Sequence, residues 1–236
     1  MGNLTSGLIW YNRDMNKKAF GGLFFLIIVL AVMLFVSAWT FYYWQAWLFL
    51  AIFSVSVLLI TLYLMKNDPS LLAKRVDAGP THETEASQKV LQIFATIIFP
   101  AIFILSALDH RFLWSSVPLY LILIGNILVV FGLFAVFLVF KENSFTSAVI
   151  EIDPAQKVIS TGPYALVRHP MYAGAFVMLV GVPLALGSWW GMIPVIILMS
   201  LIVWRLLDEE KFLIKNLAGY SQYQDKVRYR LIPWIW

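Results

Sequence analysis

Four stretches of this chain run without a single Asp, Glu, Lys, Arg or His. Phe20–Ala38 is clean over 19 residues, Gln45–Met65 over 21, Val90–Leu108 over 19 and Val117–Phe140 over 24. A helix rises about 1.5 Å per residue and the hydrocarbon core of a bilayer is about 30 Å thick, so ~20 such residues cross it. Each block therefore predicts one spanning helix, over about 20–38, 45–65, 90–108 and 117–140. The charged fraction agrees, at 13% against ~25% in ordinary soluble domains.

A fifth block, Pro170–Trp204, holds 35 residues. As one helix it would be roughly 52 Å long, well beyond a single crossing. Gly187-Ser188-Trp189-Trp190-Gly191 interrupts it with a turn, so two short helices are expected, about 171–186 and 190–204, joined as a hairpin. Charge placement supports six crossings. The segments 1–19, 66–89, 141–169 and 205–236 then share one side and hold 16 of the 17 Lys and Arg residues, leaving Arg111 on the other. Such asymmetry predicts cytoplasmic termini, and the aromatic turns at Trp39–Trp47, Trp114 and Trp189-Trp190 suit the opposite interface. A single crossing of the last block would put the six C-terminal basic residues on the wrong side. The expected fold is therefore all-α: a polytopic membrane protein of about six transmembrane helices in three hairpins.

The first block follows a basic start and ends near Val36-Ser37-Ala38, features shared with cleaved signal peptides. It exceeds the ~7–15-residue apolar core of such a peptide, so a retained helix is expected. The chain has no cysteine, which excludes disulfides, thiolate catalysis and cysteine metal sites. The net charge of +4 reflects membrane orientation and interaction with membrane lipids; nothing in it calls for nucleic acid.

Outside the clean blocks, Asp68-Pro69-Ser70 predicts the start of a short helix and Ala78-Gly79-Pro80 its end. With Leu71, Leu72 and Val76 on one side, that helix is expected to lie on the membrane surface. His82 beside Glu83 and Glu85 reads as solvated loop, and no metal site is expected. Asn126 is expected to bond a neighbouring helix, and Pro100 to kink its own.

Polar chemistry concentrates after residue 140. In Thr161–Gly174, TGPYALVRHPMYAG, Gly162-Pro163 makes a turn and Pro170 suits a helix first turn. Arg168 and His169 thus stand at a helix N-terminus, where free N–H groups and the positive dipole end meet anions. Two readings stay open: an anion-binding site, or a membrane anchor in which Arg168 snorkels, His169 is wet and Tyr172 belongs to an aromatic belt. Gly174 and Gly181 leave room for another backbone or a ligand. Downstream, Arg205 and Glu209 in RLLDEE are four apart and can pair on one helix face. Glu209 and Glu210 at a membrane edge need a cationic partner. In a hairpin, this acidic helix end emerges beside Arg168 and His169. Tyr220 and Tyr223, three apart, read as packing residues.

These residues carry a resemblance. QKVISTGPY at 156–164 with RHPMYAG at 168–174 resembles the GPY…RHPxYxG signature of the isoprenylcysteine carboxyl methyltransferase family. RLLDEE followed by Gly219-Tyr220-Ser221-Gln222-Tyr223 is similar to that family's RIxxEE…G-x-Y-x-x-Y ending, and related phospholipid methyltransferases share the diglutamate. The likeness covers about 141–236, whereas 1–140 matches as generic spans. The charge-free blocks make 1–140 a four-helix membrane region, and the resemblance implies a catalytic region at 141–236 ending in a cytoplasmic helix and tail. It implies an enzyme using S-adenosyl-L-methionine. Gln156, Lys157, Val158, Ile159, Tyr164, Arg168, His169, Pro170, Met171 and Tyr172 are then expected at the cofactor, with Glu209 and Glu210 meeting its cationic parts. Arg205 is expected to orient a lipophilic or lipid-modified acceptor, and Arg205 and Glu209 to form the catalytic pair. Gln156 departs from the histidine frequent at its position and keeps the capacity to hydrogen-bond. An isoprenylcysteine carboxylate is the favoured acceptor; a quinone-like lipid, a phospholipid amine or a small hydrophobic acid also suits the residues. The rival readings are a membrane reductase resembling the sterol reductases, which bind reduced nicotinamide, and a non-enzymatic membrane protein. Against transport of charged substrates, the first four spans lack ionisable residues.

Overall fold

In the computed structural model, residues 2–76, 86–146 and 157–236 are described, with side chains for 15–76, 89–146 and 157–236. Among the described residues the fold is entirely helical. The long apolar blocks become α1 (Gly2–Ala38), α2 (Trp44–Asn67), α4 (Ala86–Phe112) and α5 (Leu119–Glu142). These four are long and apolar enough to cross a membrane. The fifth block divides as expected into α6 (Pro170–Ala185) and α7 (Met192–Asn216). α6 is a shorter apolar helix, and α7 turns polar at Arg205, midway along its length. A short α8 (Tyr220–Lys226) follows Gly219, whose φ of +86° suits a residue without a side chain.

One apolar cluster joins the helices. It includes Leu30 and Leu34 of α1, Phe49 of α2, Ile102 and Phe103 of α4, Val129 of α5, Leu179 and Val182 of α6, and Val195 and Leu198 of α7. Phe24, Phe25, Ile97, Phe131 and Ile196 instead face outward, as a lipid-facing surface requires. The turns after α1, α4 and α6 meet at one end: Trp114 lies 5.6 Å from Trp190 and Arg111 stacks 5.6 Å from Trp39. Two buried polar contacts fix that end. Tyr43 donates to the Leu186 carbonyl at 2.7 Å, and Asp109, 1% exposed, accepts from the Ser115 backbone N–H, the Ser115 hydroxyl and the Ser188 hydroxyl at 2.6–2.7 Å.

α6 packs chiefly along α5. A Cβ on Gly132 would stand 2.5 Å from the Gly174 carbonyl oxygen, and one on Gly181 would stand 2.7 Å from that of Gly125. Gly174 and Gly181 thus make room for another backbone, that of α5, the small-residue packing used between membrane helices. Because Gly174 lies one turn inside the start of α6, this contact also sets where that start sits. Gly132→Val is expected to destabilise the fold by about 1–3 kcal/mol, lowering the thermal midpoint of the detergent-solubilised chain; an unchanged midpoint would remove this packing argument.

Two local expectations are corrected. α3 (Pro69–Val76) starts where expected, with the Leu71 N–H donating to Asp68 Oδ1 at 3.0 Å. However, Leu71 and Leu72 are buried against Met15, Ala19 and Leu64, so the helix docks on α1 and α2 rather than resting on the membrane surface. Asn126 donates to Ile122 of its own helix at 2.9 Å, since α5 and α6 approach on glycines and the amide finds its own turn first. Pro100 lies within a helix that continues to Phe112. The Ala78-Gly79-Pro80 terminator and His82, Glu83 and Glu85 lie outside the described residues.

Candidate active site

Four pieces of chain converge where α6 begins. Gly162–Ala165 forms a 3-10 turn after an extended Thr161, and Pro170 opens α6 with His169 as its cap. The Arg168 and His169 N–H groups donate to the Tyr229 and Arg230 carbonyls at 2.9 and 3.0 Å. This pairing clips the tail beyond α8 onto the entry to α6. α8 packs Tyr220 and Tyr223 with Val227 against Val158, Tyr164, Leu213 and Leu217. Between the 157–172 segment, the 143–146 segment and the face of α7–α8 lies a partly open cleft.

The expected cofactor residues gather here. Lys157, Val158, Ile159, Tyr164, Arg168, His169, Pro170, Met171, Tyr172 and Glu209 all line the cleft. The Tyr172 phenol donates to Glu209 Oε2 at 2.6 Å and accepts from Arg205 Nε at 3.2 Å. Arg205 and Glu209, paired in the sequence by helical spacing, therefore meet on one phenol of the neighbouring helix. Arg205 itself stands behind that phenol and is not among the cleft-lining residues. Asn143 donates to the Tyr164 hydroxyl at 3.0 Å, and Tyr223 donates to the Tyr164 carbonyl at 2.7 Å. Burial, aided by the charge of Glu209, pushes the Tyr164 phenol up to about 12 despite the Asn143 bond. It is neutral at physiological pH and keeps its proton for donation.

Glu210 has a different job from its neighbour. It is 4% exposed and is not among the cleft-lining residues. Arg168 Nε donates to its Oε1 at 2.7 Å, Arg230 Nε donates to its Oε2 at 2.8 Å, and His169 Nε2 stands 3.2 Å from Oε1. Arg168 also donates to the Val227 and Arg228 carbonyls at 2.9 and 2.8 Å. Burial alone would raise the Glu210 carboxyl; the bonds from His169, Arg168 and Arg230 outweigh it and hold it at about 2. Adjacent helix positions point roughly 100° apart, which is how one glutamate faces the cleft and the next locks the wall.

Several readings change as a result. The anchor reading fails: Arg168 and His169 are 7% and 5% exposed, and Tyr172 bonds Glu209 rather than joining a belt. The anion that Arg168 and His169 meet is Glu210, and Glu210 belongs to the wall rather than to the expected cofactor contacts. Tyr220 and Tyr223 do pack, as expected, but both also line the cleft. Asn143, Phe145, Thr146, Leu213 and Leu217 complete the lining and carry no sequence signal; Leu213 and Leu217 follow Glu209 at i+4 and i+8, the one trace available. Gln156 lies outside the described residues. Among the described residues no group of three or more acidic, His or Cys side chains is placed to hold a metal.

The cleft fits a cofactor with both cationic and aromatic parts. Its lining combines one carboxylate, four phenols and apolar side chains. Among the described residues of the lining, one buried polar atom is orphaned: the Tyr220 hydroxyl has no partner. Burial raises that phenol well above its ordinary value, so it too is a neutral donor awaiting an acceptor.

Comparison with known proteins points the same way. Residues 120–219 match the phospholipid methyltransferase family model. A 76-residue stretch is 34% identical to the protein-S-isoprenylcysteine O-methyltransferase of Schizosaccharomyces pombe, covering 30% of each chain. The chain thus spans about 30% of the length of the curated relative it matches. Both similarities are to methyltransferases, as the GPY…RHPMY and RLLDEE resemblance implies, and the family match contains the start of α6, the Arg205–Tyr172–Glu209 relay and Glu210.

Proposed function

We propose that this chain is an integral-membrane methyltransferase that uses S-adenosyl-L-methionine to methylate a lipophilic, membrane-partitioned acceptor, with an isoprenylcysteine-like carboxylate favoured. The observation that carries the reading is the relay Arg205–Tyr172–Glu209, a cation and a carboxylate held on one phenol at the cleft wall. Glu209 meets the cationic parts of the cofactor, and the Tyr164 and Tyr172 rings flank it. The first turn of α6 suits its carboxylate. Lys157, Val158 and Ile159 border the remainder. When bound, the sulfonium supplies an activated methyl group.

The residues of the chain provide position and dryness rather than proton chemistry. A carboxylate acceptor is already a nucleophile, so no general base is required; in-line displacement asks chiefly that the partners be aligned with water excluded. Arg205 orients the anionic acceptor, and Tyr172 ties it to Glu209 so that acceptor and cofactor contacts move together. Six crossings with both termini cytoplasmic would bring the polar cofactor from the cytosol and the acceptor from the inner leaflet. Incubation of the purified full chain in lipid nanodiscs with methyl-labelled S-adenosylmethionine and a cell lipid extract tests this. Label is expected in the organic phase and to be released as methanol by base, as a methyl ester requires. Binding of reduced nicotinamide without binding of S-adenosylmethionine would overturn the proposal.

A further inference from the structure

A second arginine approaches the same wall from outside the cleft. Arg75, at the end of α3, lies 96 residues before Met171, yet its Nη2 stands 3.2 Å from Met171 Sδ and its guanidinium stacks 4.6 Å over the Phe140 ring. Its Nε is buried with no hydrogen-bond partner. A thioether is a weak acceptor, and a buried guanidinium without an anionic partner is unfavourable. Burial draws Arg75 down to about 10, with Tyr164 and Tyr172 partly offsetting it, which leaves it charged at physiological pH. Arg75 as a whole is half-buried, and a guanidinium matched only by a thioether and a ring keeps donor capacity for an anionic ligand.

Two features say which ligand. Arg75 is not among the residues lining the cleft, while Met171, which it touches, is. Met171 thus stands between the guanidinium and the cofactor region. An anion held by Arg75 would therefore lie across Met171 from the cleft, on the side left for an acceptor when the cofactor fills the cleft. Met171 is unbranched and flexible, and an oxyanion can take its place on the guanidinium.

We propose that Arg75 anchors the oxyanion headgroup of the methyl acceptor, and that Met171 occupies this anchor until the acceptor displaces it. This rests on the methyltransferase reading for the word acceptor, although the anion site itself can be tested without turnover.

The test uses the full chain in nanodiscs of neutral phosphatidylcholine and two probes, an N-acylated S-farnesylcysteine free acid and its primary carboxamide. Wild type is expected to bind the acid at least tenfold more tightly than the amide. Arg75→Gln is expected to cut that preference at least threefold, the remainder coming from Arg205, Arg75→Lys to restore part of it, and both to keep the thermal midpoint and the S-adenosylmethionine affinity. A merely structural arginine would change both probes alike. Equal binding of acid and amide by wild type, or an acid preference undiminished in Arg75→Gln, overturns the proposal. So does an Arg75-dependent preference for nanodiscs containing phosphatidic acid with no response to the acid probe, which would assign the site to a bilayer phosphate. An Arg75-dependent acid preference without S-adenosylmethionine binding supports the anion site and removes the methyltransferase reading instead.

Discussion

Glu209→Gln is expected to weaken S-adenosylmethionine binding about 10–100-fold while leaving the fold intact. Glu209 is the single carboxylate among the described residues that line the cleft, and the amide oxygen of glutamine can still accept the 2.6 Å bond from Tyr172, so the wall is preserved and the charge removed. A charge-assisted hydrogen bond is worth roughly 1.5–3 kcal/mol, which converts to that range of affinity. The comparison ligand sharpens the result. S-Adenosylhomocysteine has a neutral sulfur, so a carboxylate that faces the sulfonium loses more for the methylated ligand than for the demethylated one. Titration calorimetry of both ligands with wild type and variant measures this directly. Equal affinity of wild type and Glu209→Gln for S-adenosylmethionine, at equal thermal midpoints, would show that Glu209 does not face the cofactor. The same variant is expected to leave the acid-over-amide preference at Arg75 in place, which separates the two halves of the site.

The parts of the fold and site that local chemistry determines are legible from the residues. Blocks without charge set α2, α4, α5 and the apolar part of α1, and the glycine- and tryptophan-bearing turn at 187–191 divides α6 from α7. Pro163, Pro170 and the spacing of Arg205 and Glu209 indicate which residues sit at helix ends and share a face. What stays hidden depends on partners distant in sequence. Asp109 looks like a polar cap at the end of a span until Ser188, 79 residues later, donates to it. Arg75 belongs to an ordinary amphipathic turn until Met171 reaches it. Glu209 and Glu210 are both expected at the cofactor; the tail, returning through Arg230 and the Val227 and Arg228 carbonyls, decides which one is wall. Gly174 and Gly181 were compatible with a ligand or a backbone, and the answer lay in Gly125 and Gly132, glycines in a uniformly apolar helix with no signal of their own.

That division of labour makes the second large effect one of stability. Glu210→Ala is expected to destabilise the C-terminal part of the fold by about 3–5 kcal/mol, the usual consequence of removing one partner from a buried ion pair. Here the loss strands the Arg168 guanidinium and leaves His169 and Arg230 without their shared acceptor. The pH dependence has a definite sign. The carboxyl is held at about 2 in the fold and titrates near 4.3 when unfolded, so the unfolded chain binds its proton first as the pH falls. The stabilisation is complete above about pH 5 and is lost progressively toward pH 2. In wild type, thermal midpoints followed by tryptophan fluorescence should therefore fall through that window, and limited proteolysis should release the segment after α8 before the transmembrane helices yield. Glu210→Ala should start from a lower midpoint and show a flatter acid limb, because the titrating group is gone. Glu209→Gln, at the next position on the same helix, should retain the wild-type midpoint and acid limb while losing cofactor. If Glu210→Ala matches wild type in both midpoint and acid response, Arg168, His169 and Arg230 are not held by this carboxylate, and the cleft wall must be fixed by the backbone pairing of 168–169 with 229–230 alone.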